Sequence, residues 1–204
     1  MGLFRSSPQA KLADRGIDPA RLPPGQYPTD KWPVLTAESV PAPADLANWR
    51  LRTSGLVEQP LELSFDELRA LPATELVADI HCVTRWSRFD VPLKGVAARD
   101  LLRLTRPEPS ARYVVQHATT GYTTNLPLAA LEHRDALLVY EADGAPLEQE
   151  HGWPVRLVVP RRYFWKSAKW LTRLEFLAQD EPGFWEGYGY HNEADPFREE
   201  RYGF

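Results

Sequence analysis

The sequence predicts an α+β domain made of many short strands and a few short helices. Three observations carry this reading. Short apolar runs bounded by Gly, Pro or Asp recur along the chain, as in "RYVVQHA", "ALLVYEA" and "VRLVVP". Helical spacing is confined to brief stretches such as "SFDELRALP" and "GVAARDLLRLTRP". Nineteen prolines in 204 residues interrupt anything longer. A chain of this length can bury roughly 70% of its unfolded surface in one domain, so it needs no staples.

Taken in order, residues 1–45 hold no sustained period and carry "DPARLPPGQYPTDKWPVL" and "VPAPADL", which predicts an extended, proline-directed arm. Its Tyr27, Trp32, Val34 and Leu35 need an apolar surface to lie on, so the arm should cross the body of the domain. "NWRLRTSGLVEQPLELS" alternates Trp49, Leu51 and Thr53 against Arg50 and Arg52, turns at Ser54-Gly55 and resumes, giving two strands. "SFDELRALP" sets Ser64 three residues before Glu67, a capping box, and stops at Pro72, so a short helix follows Ser64. "TELVADIHC" reads as a buried strand ending at the cysteine, and Val96, Leu101, Leu102 and Leu104 mark a helix stopping at Pro107. "ARYVVQHATTGYTT" is a strand running into a Gly turn, and "ALLVYEADGAPLE" is a strand ending at Asp143-Gly144. "VRLVVP" and "KWLTRLEFLA" supply two more strands. The end, "EPGFWEGYGYHNEADPFREERYGF", has aromatics without a period and should be a tail held down by its rings.

Charge narrows the function classes. With 24 basic and 28 acidic residues the net charge is −4, and no basic block could track a phosphate backbone, which argues against a nucleic-acid partner. No stretch approaches the roughly 18 apolar residues of a membrane span. The N-terminus reaches charge at Arg5 without an apolar secretory segment, and a single cysteine forms no internal disulfide, so a cytoplasmic protein is expected. Met1-Gly2 with Ser6 matches a short myristoylation pattern that is common by chance.

Three segments could carry chemistry. In "ADIHCVTRWSR", Cys82 lies among His81, Arg85 and Arg88, and cationic neighbours favour the thiolate, the form that attacks carbon or binds metal. A lone Cys is also commonly a small buried hydrophobe. Strand geometry points adjacent side chains apart, so His81 need not partner the sulfur. "HGWPVRLVVPRRYFWKSAKW" packs Arg156, Arg161, Arg162, Lys166 and Lys169 around an apolar run; Lys166-Ser167-Ala168-Lys169 could grip a phosphate, or simply form a solvated basic face. "QHATTGYTTNLPL" places His117 beside Thr hydroxyls and Gly121. Five scattered histidines and one Cys do not make a zinc pattern, and no nucleotide loop or nucleophile elbow is present.

These segments, in this order, resemble the molybdopterin-binding domain of the sulfite oxidase family, especially its short single-domain bacterial members. The resemblance runs from about Pro23 to the C-terminus, leaving 1–22 as an N-terminal extension and 23–204 as the domain. It rests on "GQYPTDKWPVL", "HCVTRWSR", "GYTTNLPL", "GWPVRLVVP", "WKSAKW" and "GYHNEADPF". It implies a strand-rich, mixed-sheet fold with short helices and a molybdenum cofactor carried by the pyranopterin molybdopterin. By position Cys82 would be the protein's metal ligand, a soft thiolate suited to such a centre.

The positions matching the family's pterin-binding residues are His117, His151, Arg156, Ser167, Ala168 and Lys169. Arg156 and Lys169 would pair with phosphate or pterin oxygens, and Ser167 and Ala168 would offer hydroxyl or backbone donors. Thr29, Asp30, Lys31 and Trp32 fall in a region that also contacts the cofactor. The resemblance further implies two-electron oxygen-atom transfer on a small oxyanion or S-oxide, with Arg85 steering the substrate and a separate partner exchanging electrons. Phe164 stands where some relatives have glycine and would narrow the site. Two other classes stay open: a thiol enzyme using Cys82 with His117 or His151 as base, and a non-catalytic pterin-binding module.

Overall fold

The computed structural model describes residues 7–203, so the Met1-Gly2 pattern lies outside the described residues. The first segment is not wholly extended. Ser7 caps a helix, α1 (Pro8–Ala13), with Pro at its first position, and a 3-10 turn follows at Pro19–Arg21. Leu12, Ile17 and Leu22 bury against Phe89 of the body. β1 (Tyr27–Pro28) then leads into a loop that crosses the domain without regular structure.

β2 (Leu51–Gly55) and β3 (Glu62–Leu63) form the expected antiparallel pair, the second strand only two residues long. α2 (Phe65–Ala70) starts on the complete Ser64–Glu67 capping box. β4 (Ala73–His81) is antiparallel to β5 (Trp86–Ala97), and α3 (Ala98–Thr105) follows directly. β6 (Tyr113–Ala118) and β7 (Thr123–Pro127) form a hairpin around Gly121, with α4 (Leu128–Glu132) after it. β8 (Leu137–Ala142) turns through Asp143 and Gly144, both at positive φ, into β9 (Ala145–Pro146). β10 (Arg156–Val158), β11 (Leu171–Leu177) and α5 (Phe184–Gly187) complete the chain.

One sheet runs β1-β5-β8-β10, with β4 on β5 and β9 on β8; the other runs β3-β2-β11-β6-β7. Each contains one parallel pair, β1 with β5 and β11 with β2, so both are mixed as expected. The main core joins them through Leu51, Leu101, Val114, Leu126, Leu138, Leu157, Leu174 and Phe176. Each such side chain contributes ~1.5–3 kcal/mol of burial. Among the described residues no helix is long and apolar enough to cross a membrane.

β4 differs from the expected buried strand: it is open along its first half, with Val77 62% exposed, and closes only from Ala78 to His81. β5, β7 and α4 fall where the residues show no clear period. β5 alternates Phe89, Val91 and Leu93 inward, but Pro92 and a bulge at Ala78/Ile80 break the signal. Asp79 and Asp90 sit at that bulge, and both accept hydrogen bonds from Arg21. The N-terminal segment thereby braces the hairpin whose tip carries Cys82.

Candidate active site

The β4–β5 hairpin ends in a tight turn. The Cys82 amide donates to Trp86 O (2.9 Å), the Arg85 amide donates to Cys82 O (3.0 Å), and Arg85 takes φ 78°. Gln26 Nε2 donates to Cys82 O at 3.0 Å, tying the arm to the turn. Burial pushes the Cys82 thiol pKa up, opposed by the Thr84 hydroxyl, which donates to Sγ at 3.2 Å. His81 leaves on the other side of the strand. Its Nδ1 meets Ser87 Oγ at 2.8 Å, its ring packs between Phe89 and Phe197, and burial lowers its pKa to about 4.

Cys82 opens onto a cavity of about 320 Å³. Its wall draws on the arm (Trp32, Leu35, Glu38), the Cys82 turn (Val83, Thr84, Trp86), the Gly121 turn (Thr120, Tyr122), Arg156 at the start of β10 and the segments around it that hold His151, Phe164, Ser167 and Lys169. Trp185 and Tyr190 close it from the tail. The tail is indeed held by rings: Trp185 and Tyr190 pack at 4.9 Å, and Tyr190 meets Trp165 at 5.1 Å.

The cationic side of the wall is Arg156. Its guanidinium donates to His151 O and Ser167 O (both 2.9 Å) and lies 4.0 Å from the centroid of Phe164, so Phe164 covers it. Among the described residues no carboxylate forms an ion pair with it, and burial lowers its pKa to about 9. Lys169 Nζ donates to Glu150 O (2.8 Å); burial first and Arg156 second bring its pKa down to about 7. Gly152, at φ 109°, lets the backbone pass close to both residues, because a Cβ there would lie 3.0 Å from Lys169 Cβ and 3.1 Å from Arg156 Cβ. His151 stacks on Trp32 (4.4 Å, 19°); burial and then Arg156 lower its pKa to about 4, so the ring is neutral at pH 7.

The remaining residues divide. Ser167 lines the cavity, its hydroxyl accepting from Val159 N–H at 3.0 Å. Ala168 is buried in the core, and its amide donates to Gln116 Oε1 (2.9 Å), so that donor is already engaged. Lys166 turns away from Lys169: it is fully buried and pairs with Glu186 at 2.7 Å. His117 also stands outside the wall, on β6, bonded to Glu175 (2.8 Å) and within reach of Arg173. Arg85 is exposed and likewise not in the wall, as are Thr29, Asp30 and Lys31, Asp30 being paired with Arg15. Sequence reasoning missed Glu38, Thr84, Trp86, Tyr122, Trp185 and Tyr190; the excess of tryptophans was the one available signal.

The profile of the oxidoreductase molybdopterin binding domain matches residues 37–185. The chain belongs to this family. It is 46% identical over 182 residues to YuiH, an uncharacterized oxidoreductase of Bacillus subtilis, covering 89% of this chain and 92% of that one. It is 29% identical to the protein-methionine-sulfoxide reductase catalytic subunit MsrP of Campylobacter jejuni, covering 80% of this chain and 59% of the relative. In fold it is similar to the sulfane dehydrogenase SoxCD of Paracoccus pantotrophus, with a TM-score of 0.62 at 24% identity, over 68% of this chain and 40% of that one. The chain is therefore a molybdopterin-dependent oxidoreductase of the sulfite-oxidase-like fold.

The cavity fits that cofactor. A buried guanidinium and a depressed ammonium, neither in an ion pair with a carboxylate among the described residues, suit an anionic phosphate, and Cys82 places one sulfur in the wall. Trp86, 3% exposed in the same wall, keeps its indole N–H buried without a protein acceptor among the described residues.

Proposed function

We propose that this family member transfers an oxygen atom in a two-electron reaction on a small S-oxide-type or oxyanion substrate, with Cys82 ligating molybdenum. The observation that carries it is Cys82 and the anion-binding pair Arg156 and Lys169 lining one cavity. When bound, the cofactor supplies the two-electron couple and the oxygen chemistry. The chain's own residues bind and orient it. Arg156 and Lys169 hold its phosphate, Ser167 and neutral His151 offer uncharged donors, and the rings of Trp32, Phe164, Trp165 and Trp185 exclude water. Gln116 shapes the loop by accepting from Ala168 N–H and donating to Lys166 O (2.7 Å), while His117 lies on the same strand outside the wall. Arg85, exposed beside Cys82, is assigned the steering of an anionic substrate.

For an S-oxide the balance is simple: the sulfoxide takes up two protons and two electrons, its sulfur–oxygen bond breaks, and the products are the sulfide and one water. The electrons come from a separate partner. The name of the Campylobacter jejuni relative supports the reducing direction. Protein purified from a host that makes the cofactor should contain about one molybdenum per chain, and Cys82→Ser should lose activity with S-oxide substrates while keeping its thermal midpoint. Full activity in metal-loaded Cys82→Ser would overturn the ligand assignment; iodoacetamide-sensitive activity in metal-free protein would favour the thiol enzyme. Bound metal that neither takes up nor releases electrons in a redox titration would favour a binding module.

A further inference from the structure

The Cys82 sulfur carries a hydrogen bond from its own turn. Thr84 Oγ1 donates to Cys82 Sγ at 3.2 Å, and Thr84 lines the same cavity as the sulfur. The arrangement is braced from three sides. Arg85 N–H closes the turn on Cys82 O, Cys82 N–H bonds Trp86 O, and Gln26 holds Cys82 O from the arm. A β-branched side chain in such a turn has few rotamers, so the hydroxyl is set toward the sulfur before any metal binds. A hydrogen bond to a metal-bound thiolate draws charge off sulfur, weakens its donation and favours the reduced metal.

We infer that Thr84 is a positioning residue that raises the reduction potential of the molybdenum centre through its hydrogen bond to Cys82. This rests on Cys82 being the metal ligand. The hydroxyl has a role that Phe164 or Trp86, also in the wall, cannot fill, because neither offers an O–H to the sulfur.

The test is a potentiometric titration of the holoprotein, following the Mo(V) paramagnetic signal, with molybdenum and pterin content measured alongside. Thr84→Val, nearly isosteric and without a donor, should shift the midpoint potentials downward at unchanged cofactor content, and Thr84→Ser should return them to the wild-type values. Thr84→Ala carries the same expectation and is read in place of the valine variant if that one does not load. Wild-type potentials in the variant lacking the hydroxyl would overturn the inference, as would a downward shift that Thr84→Ser does not reverse. X-ray absorption at the molybdenum edge separates the role of Thr84 from that of Cys82. Three sulfur ligands in wild type and variant with unchanged potentials reject the role of Thr84 alone. Two sulfurs in the wild type reject Cys82 as ligand and the inference with it.

Discussion

Arg156 and Lys166 are both fully buried cations close to the same loop, and their surroundings differ in one respect. Lys166 Nζ meets Glu186 at 2.7 Å and is completed by Asn125 O and Oδ1 at 3.0 and 2.8 Å. Arg156 meets backbone carbonyls and an aromatic face, with no carboxylate among the described residues. A buried charge with its own counter-ion is complete, whereas one held only by dipoles is costly until an anion arrives. Lys166 therefore belongs to the framework, where with Glu186 it fastens the tail that closes the cavity. Arg156 lines the cavity instead, and on the proposed function its counter-charge is the ligand's.

Substituting the two residues should break this contrast if it is wrong. Lys166→Met leaves Glu186 buried without a counter-charge and should cost about 3–5 kcal/mol of stability, read as a fall in the denaturant midpoint. Arg156→Met removes an uncompensated charge, so the cofactor-free protein should keep or raise its thermal midpoint. Its cofactor content should drop on the order of tenfold or more, since a hydrogen bond to a charged group contributes about 1.5–3 kcal/mol. Equal loss of stability in both variants would show that Arg156 is framework too.

Lys169 sharpens the comparison through pH. In the cofactor-free protein its ammonium titrates at about 7, pulled down by burial and Arg156. Above that pH the amine is neutral, and binding an anionic phosphate requires it to take up a proton. Affinity for molybdopterin should therefore fall as pH rises above about 7, by at most roughly tenfold per pH unit for one proton. Loading measured across this range should show the fall in wild type and its absence in Lys169→Met. A wild-type profile as flat as that of the variant would remove Lys169 from the phosphate site.

How much of this could be read from the chain depended on range. Local rules found the Ser64–Glu67 helix start, the Asp143-Gly144 turn and the helix before Pro107, because each is decided by neighbours within a few residues. The family motifs placed Cys82, Arg85, His117, His151, Arg156, Ser167, Ala168 and Lys169 on one site; the fold puts Cys82, His151, Arg156, Ser167 and Lys169 in one wall and leaves Arg85, His117 and Ala168 out of it. Spacing could not separate Lys166 from Lys169. They face opposite ways because Glu186, twenty residues later, captures one of them. His117 is held by Glu175 across a β6–β11 pairing that no local window contains.

The smallest expected effect concerns the arm, which the sequence motifs connect to the site only loosely. Trp32 stacks on His151 at 4.4 Å, and its ring lies 5.7 Å from the Arg156 guanidinium and 5.5 Å from that of Arg88. Lys31 and Asp30 beside it line a separate groove that also reaches Arg88 and Glu148, so Trp32 and His151 form the partition between groove and cavity. Trp32→Leu keeps an apolar side chain but loses the stack, worth about 0.5–1.5 kcal/mol beyond buried area. Because Trp32 is only partly buried, the cost should fall on retention of the cofactor more than on folding. Dissociation of molybdopterin should quicken roughly two- to tenfold, with the thermal midpoint of the cofactor-free protein nearly unchanged. Equal release rates in variant and wild type would mean that the arm only covers the site, and that Arg156 and Lys169 hold the cofactor without it.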